Sequence, residues 1–205
     1  RENITGSSIL LLDRPKRYHG IEYMADIVEA IQGKNVLRLH YLPFSRKEVK
    51  KHTVHPYFIK EYNGRMYLIA KDIHPVKESI FLTFAFDRMT EVVKMQQTFQ
   101  EENLDKESYF TSAIGISMPD SNPEEIVLQF DSNQTNYLKL QPIHHSQILT
   151  ENEDGCLVTL HLVINYELKA LLLSFGNGVI VRKPTRLLNE MKQTIAQMTA
   201  NYGNA

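Results

Sequence analysis

The chain has 205 residues, 42% of them hydrophobic, and a formal net charge of -1 at pH 7. That length and composition provide a core for one or two domains, whereas the charge excludes a chain that wraps duplex DNA by bulk electrostatics. The single cysteine, Cys156, excludes an intramolecular disulfide framework, and no apolar run approaches the roughly 20 residues that span a bilayer, so we expect a cytoplasmic protein without a membrane partner.

Residues 1–20 are expected to be a linker from an upstream domain. A short apolar run, Ile9 to Leu12, is followed by a basic segment that contains Pro15, and the chain opens at Arg1 instead of Met. From Ile21 onwards, apolar residues recur at helical spacing, and Gly33 lies where a C-terminal cap belongs. The pattern predicts an amphipathic helix that ends at about Gln32.

Five short strands joined by tight turns are predicted next, at residues 36–41, 49–62, 65–71, 79–86 and 91–95. Asn63-Gly64 between two of them is a strong hairpin signal, because both residues tolerate the positive φ of a type I′ turn. Alternation places Arg65, Tyr67 and Ile69 on one face of the third strand, and Met66, Leu68 and Ala70 on a core face. One helix and five strands predict a small SH3-like or Sm-like β-barrel over residues 21–97.

The pattern changes at residues 98–122, a polar linker in which 104–113 can form a short helix. Residues 123–205 then predict strands at 126–130, 143–151, 156–164 and 179–183, with helices at 133–140 and 166–175. Asp131 or Ser132 is the expected N-cap of the first helix, and Asn165 that of the second. The order β-α-β-β-α-β is that of a ferredoxin-like domain, and a C-terminal helix starts at Thr185. The predicted fold class is therefore α+β.

Catalytic motifs are missing from the sequence. It has no Gly-x-Ser-x-Gly, no Walker-type phosphate loop and no His-Glu-x-x-His. His144 and His145 are adjacent, so in a strand they point to opposite faces and cannot share a metal, and His52 and His55 have the same problem. We therefore expect no enzyme, no metal and no cofactor, and we expect Cys156 to be a small buried hydrophobe.

A binding surface is the remaining candidate. Basic residues cluster in one loop and strand (Arg46, Lys47, Lys50, Lys51, His52, His55), and Tyr41, Arg65, Tyr67, Lys71 and Arg88 lie on neighbouring elements. Arginine offers a planar fork for phosphates and tyrosine a ring for stacking, which suits a nucleotide or a short single strand. Two alternatives remain: the lysines guard a solvated edge strand, and Arg88 is an ion-pair partner of Asp87.

Two segments resemble the WYL domain family of bacterial transcriptional regulators, which is named after a Trp-Tyr-Leu triplet. They are Met66-Tyr67-Leu68, in which Met replaces the Trp, and Phe84-Ala85-Phe86-Asp87-Arg88-Met89. Ile143-His144-His145-Ser146-Gln147, Phe175-Gly176-Asn177-Gly178 and Pro184-Thr185-Arg186-Leu187 resemble landmarks of the C-terminal extension that often follows the barrel. The resemblance implies an Sm-like barrel, and it implies ligand contact for Tyr41, Tyr67 and Arg88.

The resemblance favours a ligand-sensing part of a regulator, whose upstream helix-turn-helix domain, outside these residues, binds promoter DNA. A regulator that reads two half-sites is expected to be a homodimer. The alternative is an Sm-like RNA-binding or assembly module without effector switching. In the first interpretation a nucleotide or single-stranded nucleic acid contacts six predicted ligand residues: Tyr41, His55, Arg65, Tyr67, Lys71 and Arg88.

Overall fold

The computed structural model describes residues 19–44, 47–73, 79–119 and 121–203, and it confirms the α+β class. The chain divides into two compact units, one ending at Asn103 and the other starting at Leu104. Each unit contains one antiparallel sheet. The predicted linker at 1–20 lies outside the described residues apart from His19 and Gly20.

The first unit contains one helix and five strands. They are α1 (Met24–Gly33), β1 (Asn35–Tyr41), β2 (Lys50–Tyr62), β3 (Arg65–Asp72), β4 (Ile80–Ala85) and β5 (Met89–Thr98), with 3-10 turns at Ile21–Tyr23 and Phe86–Arg88. The sheet order is β4-β3-β2-β1-β5, which places β4 and β5 at its edges. Pairing between these edge strands would close a barrel, and it does not occur among the described residues, so the closed barrel stays a prediction.

The predicted hairpin between β2 and β3 is confirmed. Asn63 and Gly64 both have positive φ, at 50° and 72°, as a type I′ turn requires. Tyr62 pairs with Arg65 across the turn, and the Gly64 N–H donates to Glu61 Oε1 at 2.6 Å. The turn therefore fixes the register of β3, and with it the direction in which Arg65 points.

Both faces of β3 are buried, which differs from the one-sided strand that alternation predicts. Leu68 and Ala70 belong to the core cluster beneath α1, as expected, but Tyr67 and Ile69 are also buried. Met66 is only half-buried at the edge of that core, because it lies one residue from the start of β3, where the strand leaves the hairpin. A strand buried on both faces reads as a continuous apolar run, and alternation alone does not detect the second face.

The end of α1 differs from the prediction at one residue. Gly33 is the last helical residue, and Lys34 takes the left-handed conformation instead, with φ 51°. A Cβ at Gly33 would lie 2.5 Å from Asn35 Oδ1, so a larger residue there would require the Asn35 side chain to move. The Lys34 N–H closes the helix on the carbonyls of Ala30 and Ile31.

The second unit has the order β-α-β-β-α-β followed by a helix. Its elements are β6 (Glu124–Phe130), α2 (Ser132–Leu140), β7 (Ile148–Asn152), β8 (Gly155–Leu162), α3 (Tyr166–Ser174), β9 (Val179–Lys183) and α4 (Thr185–Gly203), and the sheet order is β7-β8-β6-β9. Both predicted caps are confirmed: Asp131 accepts from the Gln134 N–H at 3.0 Å, and Asn165 accepts from the Leu168 N–H at 2.9 Å. Cys156 is fully buried in the core, as predicted.

Two predictions in this unit are wrong. Residues 106–112 form turns instead of a helix, and β7 begins at Ile148, which leaves residues 143–147 in a loop. Side-chain hydrogen bonds hold that loop, because Gln147 accepts from the Ile143 N–H at 2.9 Å and donates to the Leu138 carbonyl at 2.8 Å. Such local bonds compete with a strand ladder.

In the described part of the chain, every helix is too short or too polar to cross a membrane.

Candidate functional site

Arg65, Asp87 and Arg88 are brought together by the pairing of β3 with β4. Tyr67 lies opposite Ala85 in that pairing, so the 3-10 turn after β4 lies beside the start of β3. Arg65 Nη2 lies 2.6 Å from Asp87 Oδ2. The turn also packs against Gly20, where φ is 78° and a Cβ would lie 2.2 Å from the Phe86 carbonyl oxygen. Only glycine fits this position, so Gly20 helps to fix the turn that carries Arg88.

Arg88 stacks on an exposed aromatic ring. Its guanidinium carbon lies 3.6 Å from the centroid of Phe44, and Phe44 is 77% exposed. The Arg88 Nε atom is buried and has no hydrogen-bond acceptor in the described residues. A buried donor without an acceptor destabilises the ligand-free state, whereas the guanidinium edge remains suited to a phosphate when its face is stacked.

The charges at this site leave one cation uncompensated. The pairing of Asp87 with Arg65 means that the alternative of an Asp87–Arg88 pair is wrong. Within the described ranges, Arg88 has no ion-pair partner, so the group of three carries one net positive charge. A cavity of about 230 Å³ beside it is lined by Leu42, Pro43, Phe44, Asp87, Arg88 and Thr90. This cavity is smaller than the roughly 300–1,000 Å³ that drug-sized ligands fill.

Tyr41 and Tyr67 are both buried, at 8% and 6% exposure. The Tyr41 hydroxyl accepts from the Ala85 N–H at 3.3 Å, and its ring packs edge-on against Phe84. The Arg65 guanidinium lies 5.6 Å from the Tyr67 ring. Both tyrosine rings are therefore buried beside the arginines, whereas the ring of Phe44 is exposed.

His55 and Lys71 lie opposite each other on β2 and β3, at the end of β3 away from Arg65. The His55 ring stacks on Phe99 at 4.3 Å and 9°, and Lys71 pairs with Glu102. Burial, and secondly Lys71, lower the pKa of His55, while Glu102 opposes the shift. Six residues along a strand separate Lys71 from Arg65 by about 20 Å, so the six predicted ligand residues form two groups.

The remaining basic residues lie in the loop before β2 and at the start of β2, which in the sheet order is an inner strand and not the edge strand of the alternative. Lys47, Lys50 and Lys51 are exposed, whereas His52 Nδ1 lies 3.0 Å from Asp72 Oδ2. Arg46 lies outside the described residues. Across the ranges the structure describes, no group of three or more His, Cys, Asp or Glu side chains could hold a metal ion.

Comparisons with known proteins match two stretches of the chain to domain families. A family model for the WYL domain matches residues 22–94, and one for the WCX domain matches residues 122–199. The chain belongs to the WYL domain family. The WYL domain lies in the first unit and the WCX domain in the second.

Solved structures with similar chains are longer than this one. One is a CRISPR Cas-related protein, 15% identical with a TM-score of 0.56, and the match covers 90% of this chain and 53% of that one. Another is proteasome accessory factor B/C of Arthrobacter aurescens, 16% identical with a TM-score of 0.38, covering 93% of this chain and 28% of that one. No curated protein sequence matches the chain. Its family makes the chain a regulatory, ligand-sensing module.

All six predicted ligand residues lie within the WYL domain. Phe44 lies there too, but sequence reasoning did not select it, because a phenylalanine in a loop after Pro43 shows no periodicity. Its place under Arg88 depends on a contact between residues 44 positions apart. The sequence signal that could have found it is a large apolar residue in a Pro-containing loop beside a basic run.

Proposed function

We propose that the WYL domain binds a nucleotide or a short single-stranded nucleic acid at Arg88, Phe44 and Arg65, and that the occupied state alters promoter binding by an upstream domain. The observation that supports this is the stacked Arg88–Phe44 pair, whose cation has no ion-pair partner in the described residues. A phosphate takes the guanidinium edge and supplies the missing negative charge. A base packs against the exposed ring of Phe44.

The experiment is a titration of short single-stranded oligonucleotides and cyclic dinucleotides against the parent, Arg88→Ala and Phe44→Ala. Hydrogen bonds to charged groups contribute about 1.5–3 kcal/mol, so Arg88→Ala should weaken binding by roughly ten- to a hundredfold. Arg88→Lys keeps the charge but loses the planar fork, and it should restore only part of the affinity. Affinity should also fall as salt rises, because phosphate contacts release counterions.

Arg182→Ala is the matched control, since Arg182 is an exposed arginine on β9 of the WCX domain and its loss changes the net charge equally. Thermal melts of every variant separate lost binding from lost folding. Equal affinity of folded Arg88→Ala and parent would exclude this site. Tight binding of structured RNA that Arg88→Ala leaves unchanged would favour the RNA-binding or assembly module instead.

We further propose a homodimer formed through the last turns of α4. An apolar seam follows the 3-4-3-4 spacing of a coiled coil: Leu188, Met191, Ile195, Met198, Tyr202. Met191 is 7% exposed, but Ile195, Met198 and Tyr202 are 51%, 43% and 81% exposed. Residues 193–203 include no Asp, Glu, Lys or Arg, so a second copy of this helix meets no like charge there.

A groove of about 850 Å³ lies beside that seam. Its walls come from α4, β9 and the end of α3, with Leu172, Val181 and Met191 among them. A closed two-fold dimer needs a surface that is complementary to itself, and an uncharged seam beside a groove with Lys192 as its charged lining residue suits such a contact. For the finer fold, we propose that the first sheet curls into an Sm-like barrel and that the second unit is ferredoxin-like.

A further inference from the structure

The segment Phe99–Glu102, here named the strap, lies between the two family matches and is attached to the first unit. The Phe99 N–H donates to the Lys34 carbonyl at 3.0 Å, and the Glu102 N–H donates to the Tyr57 hydroxyl at 3.1 Å. Phe99 stacks on His55, and Glu102 pairs with Lys71. The strap therefore covers the predicted ligand residues that lie farthest from Arg88.

The chemistry of these two side-chain contacts matches that of a bound nucleotide. A ring in parallel stacking on an imidazole at 4.3 Å does what a base does on a protein aromatic side chain. A carboxylate on a lysine ammonium occupies the place that a phosphate takes. His55 and Lys71 are direct cross-strand partners, and such side chains lie about 5 Å apart, so the stacking surface and the cation form one subsite.

We propose that His55 and Lys71 form a second subsite for a single-stranded nucleic acid, and that the chain's own strap occupies it until the nucleic acid displaces the strap. This inference rests on the proposed function, because the nucleic acid that contacts His55 and Lys71 also extends to Arg65 and Arg88. The separation of about 20 Å along β3 exceeds one nucleotide, so the ligand is an oligonucleotide of several nucleotides. Its base replaces Phe99 on His55, and its phosphate replaces Glu102 on Lys71.

Competition with the strap sets the direction of the variant effects. A protein whose binding-competent state is only partly populated binds more weakly by that fraction, so loosening the strap strengthens binding. Base–aromatic stacking of the size measured in other proteins corresponds to roughly fivefold to a hundredfold in affinity. Phe99→Ala and Glu102→Gln should therefore each raise oligonucleotide affinity by up to that range.

The test is a binding titration of the full chain with a fluorescent oligothymidylate. Glu151→Gln is the matched control, because Glu151 on β7 also pairs with a lysine, Lys139 at 2.8 Å, and loses the same charge away from the strap. We expect Glu102→Gln to bind more tightly than Glu151→Gln, and Lys71→Met to weaken binding in the Phe99→Ala background. Equal affinities of Glu151→Gln and Glu102→Gln would overturn the inference.

Hydrogen exchange supplies a readout that does not depend on affinity. The Glu102 amide should exchange faster in Phe99→Ala without ligand, and faster in the parent once oligothymidylate is added. Protection of that amide in the bound parent would overturn displacement of the strap. If Arg88→Ala weakens binding while the strap variants equal the parent, the proposed function stands and this inference fails. If no variant binds any oligonucleotide, both fail.

Discussion

His144 is a half-buried histidine in the loop at 143–147. Its Nδ1 accepts from the Ser146 N–H at 3.2 Å and lies 2.9 Å from Ser146 Oγ. The ring of His145 lies 3.9 Å from the His144 ring. Burial and then the neighbouring His145 lower the pKa of His144, while a hydrogen bond to the Thr111 backbone opposes the shift. An Nδ1 that accepts hydrogen bonds keeps the imidazole neutral.

Stability of the WCX domain should therefore fall on acidification. The pKa of His144 is lower in the folded chain than the ordinary value of a histidine, so the unfolded chain binds more protons as the pH drops. The contribution is fully present above about pH 6.5 and is lost as the pH falls through the depressed value. Urea midpoints of the parent and His144→Asn at pH 8 and pH 5 measure this. Identical pH dependence in the two proteins would contradict it.

The residue scale also shows what one sequence can reveal about a site. The pairing of Arg65 with Asp87 could not be read from the chain, because the two residues are adjacent only after β3 and β4 pair. The resemblance assigns Tyr41 to the ligand, whereas alternation along β1 places it on the same side as Leu37 and Leu39, where it is buried. Local patterns predict the side of a strand, and they do not predict which loop covers it.

On the scale of elements, the starts of α2 and α3 are determined by the local hydrogen bonds of their N-cap residues. Asn165 caps α3 and also donates from Nδ2 to the carbonyls of Ile114 and Ser117, at 2.7 and 2.9 Å. It is 4% exposed, so these carbonyls depend on the amide for their hydrogen bonds. A cap thus ties the turns at 114–117 to the start of α3.

Asn165→Ala should lower the free energy of unfolding by roughly 2–4 kcal/mol, from a lost cap and two lost buried hydrogen bonds. Asp131→Ala is the matched control, because its side chain caps α2 through the Gln134 N–H. That change should cost only about 1 kcal/mol. Chemical denaturation of both variants decides the matter, and equal losses would mean that the bonds to Ile114 and Ser117 contribute nothing.

Elements held by side chains far apart in sequence were harder to predict than caps and turns. Asn63-Gly64 and Asp131 act within four residues, and each was predicted correctly. Residues 143–147 are predicted as the start of a strand at 143–151, and they form a loop. The bond from Gln147 to Leu138 that prevents the strand joins two elements.

On the scale of the whole molecule, the proposed dimer depends on the seam of α4. The N-terminal half of α4 packs on the core through Leu187 and Met191, whereas Ile195 and Met198 of the seam remain half exposed. An isologous contact brings each seam residue close to its symmetry mate or to a neighbour of it. A single charge on the seam is therefore repeated in the dimer.

Met198→Glu should convert the proposed dimer into a monomer, because two carboxylates then lie in one apolar contact. Gln193→Glu adds the same charge on an exposed position outside the seam and should leave the association unchanged. Sedimentation velocity at several concentrations measures both. A parent that is monomeric at every concentration would contradict the proposal.

Cys156 turns the core of the second unit into a site that reports its own opening. It is the one thiol in the sequence, it is fully buried on β8, and a buried thiol reacts with an alkylating reagent only when the surrounding structure opens. The rate of alkylation therefore measures the opening free energy of the WCX domain alone. Adding oligothymidylate during such a measurement tells whether binding to the WYL domain changes the stability of the WCX domain.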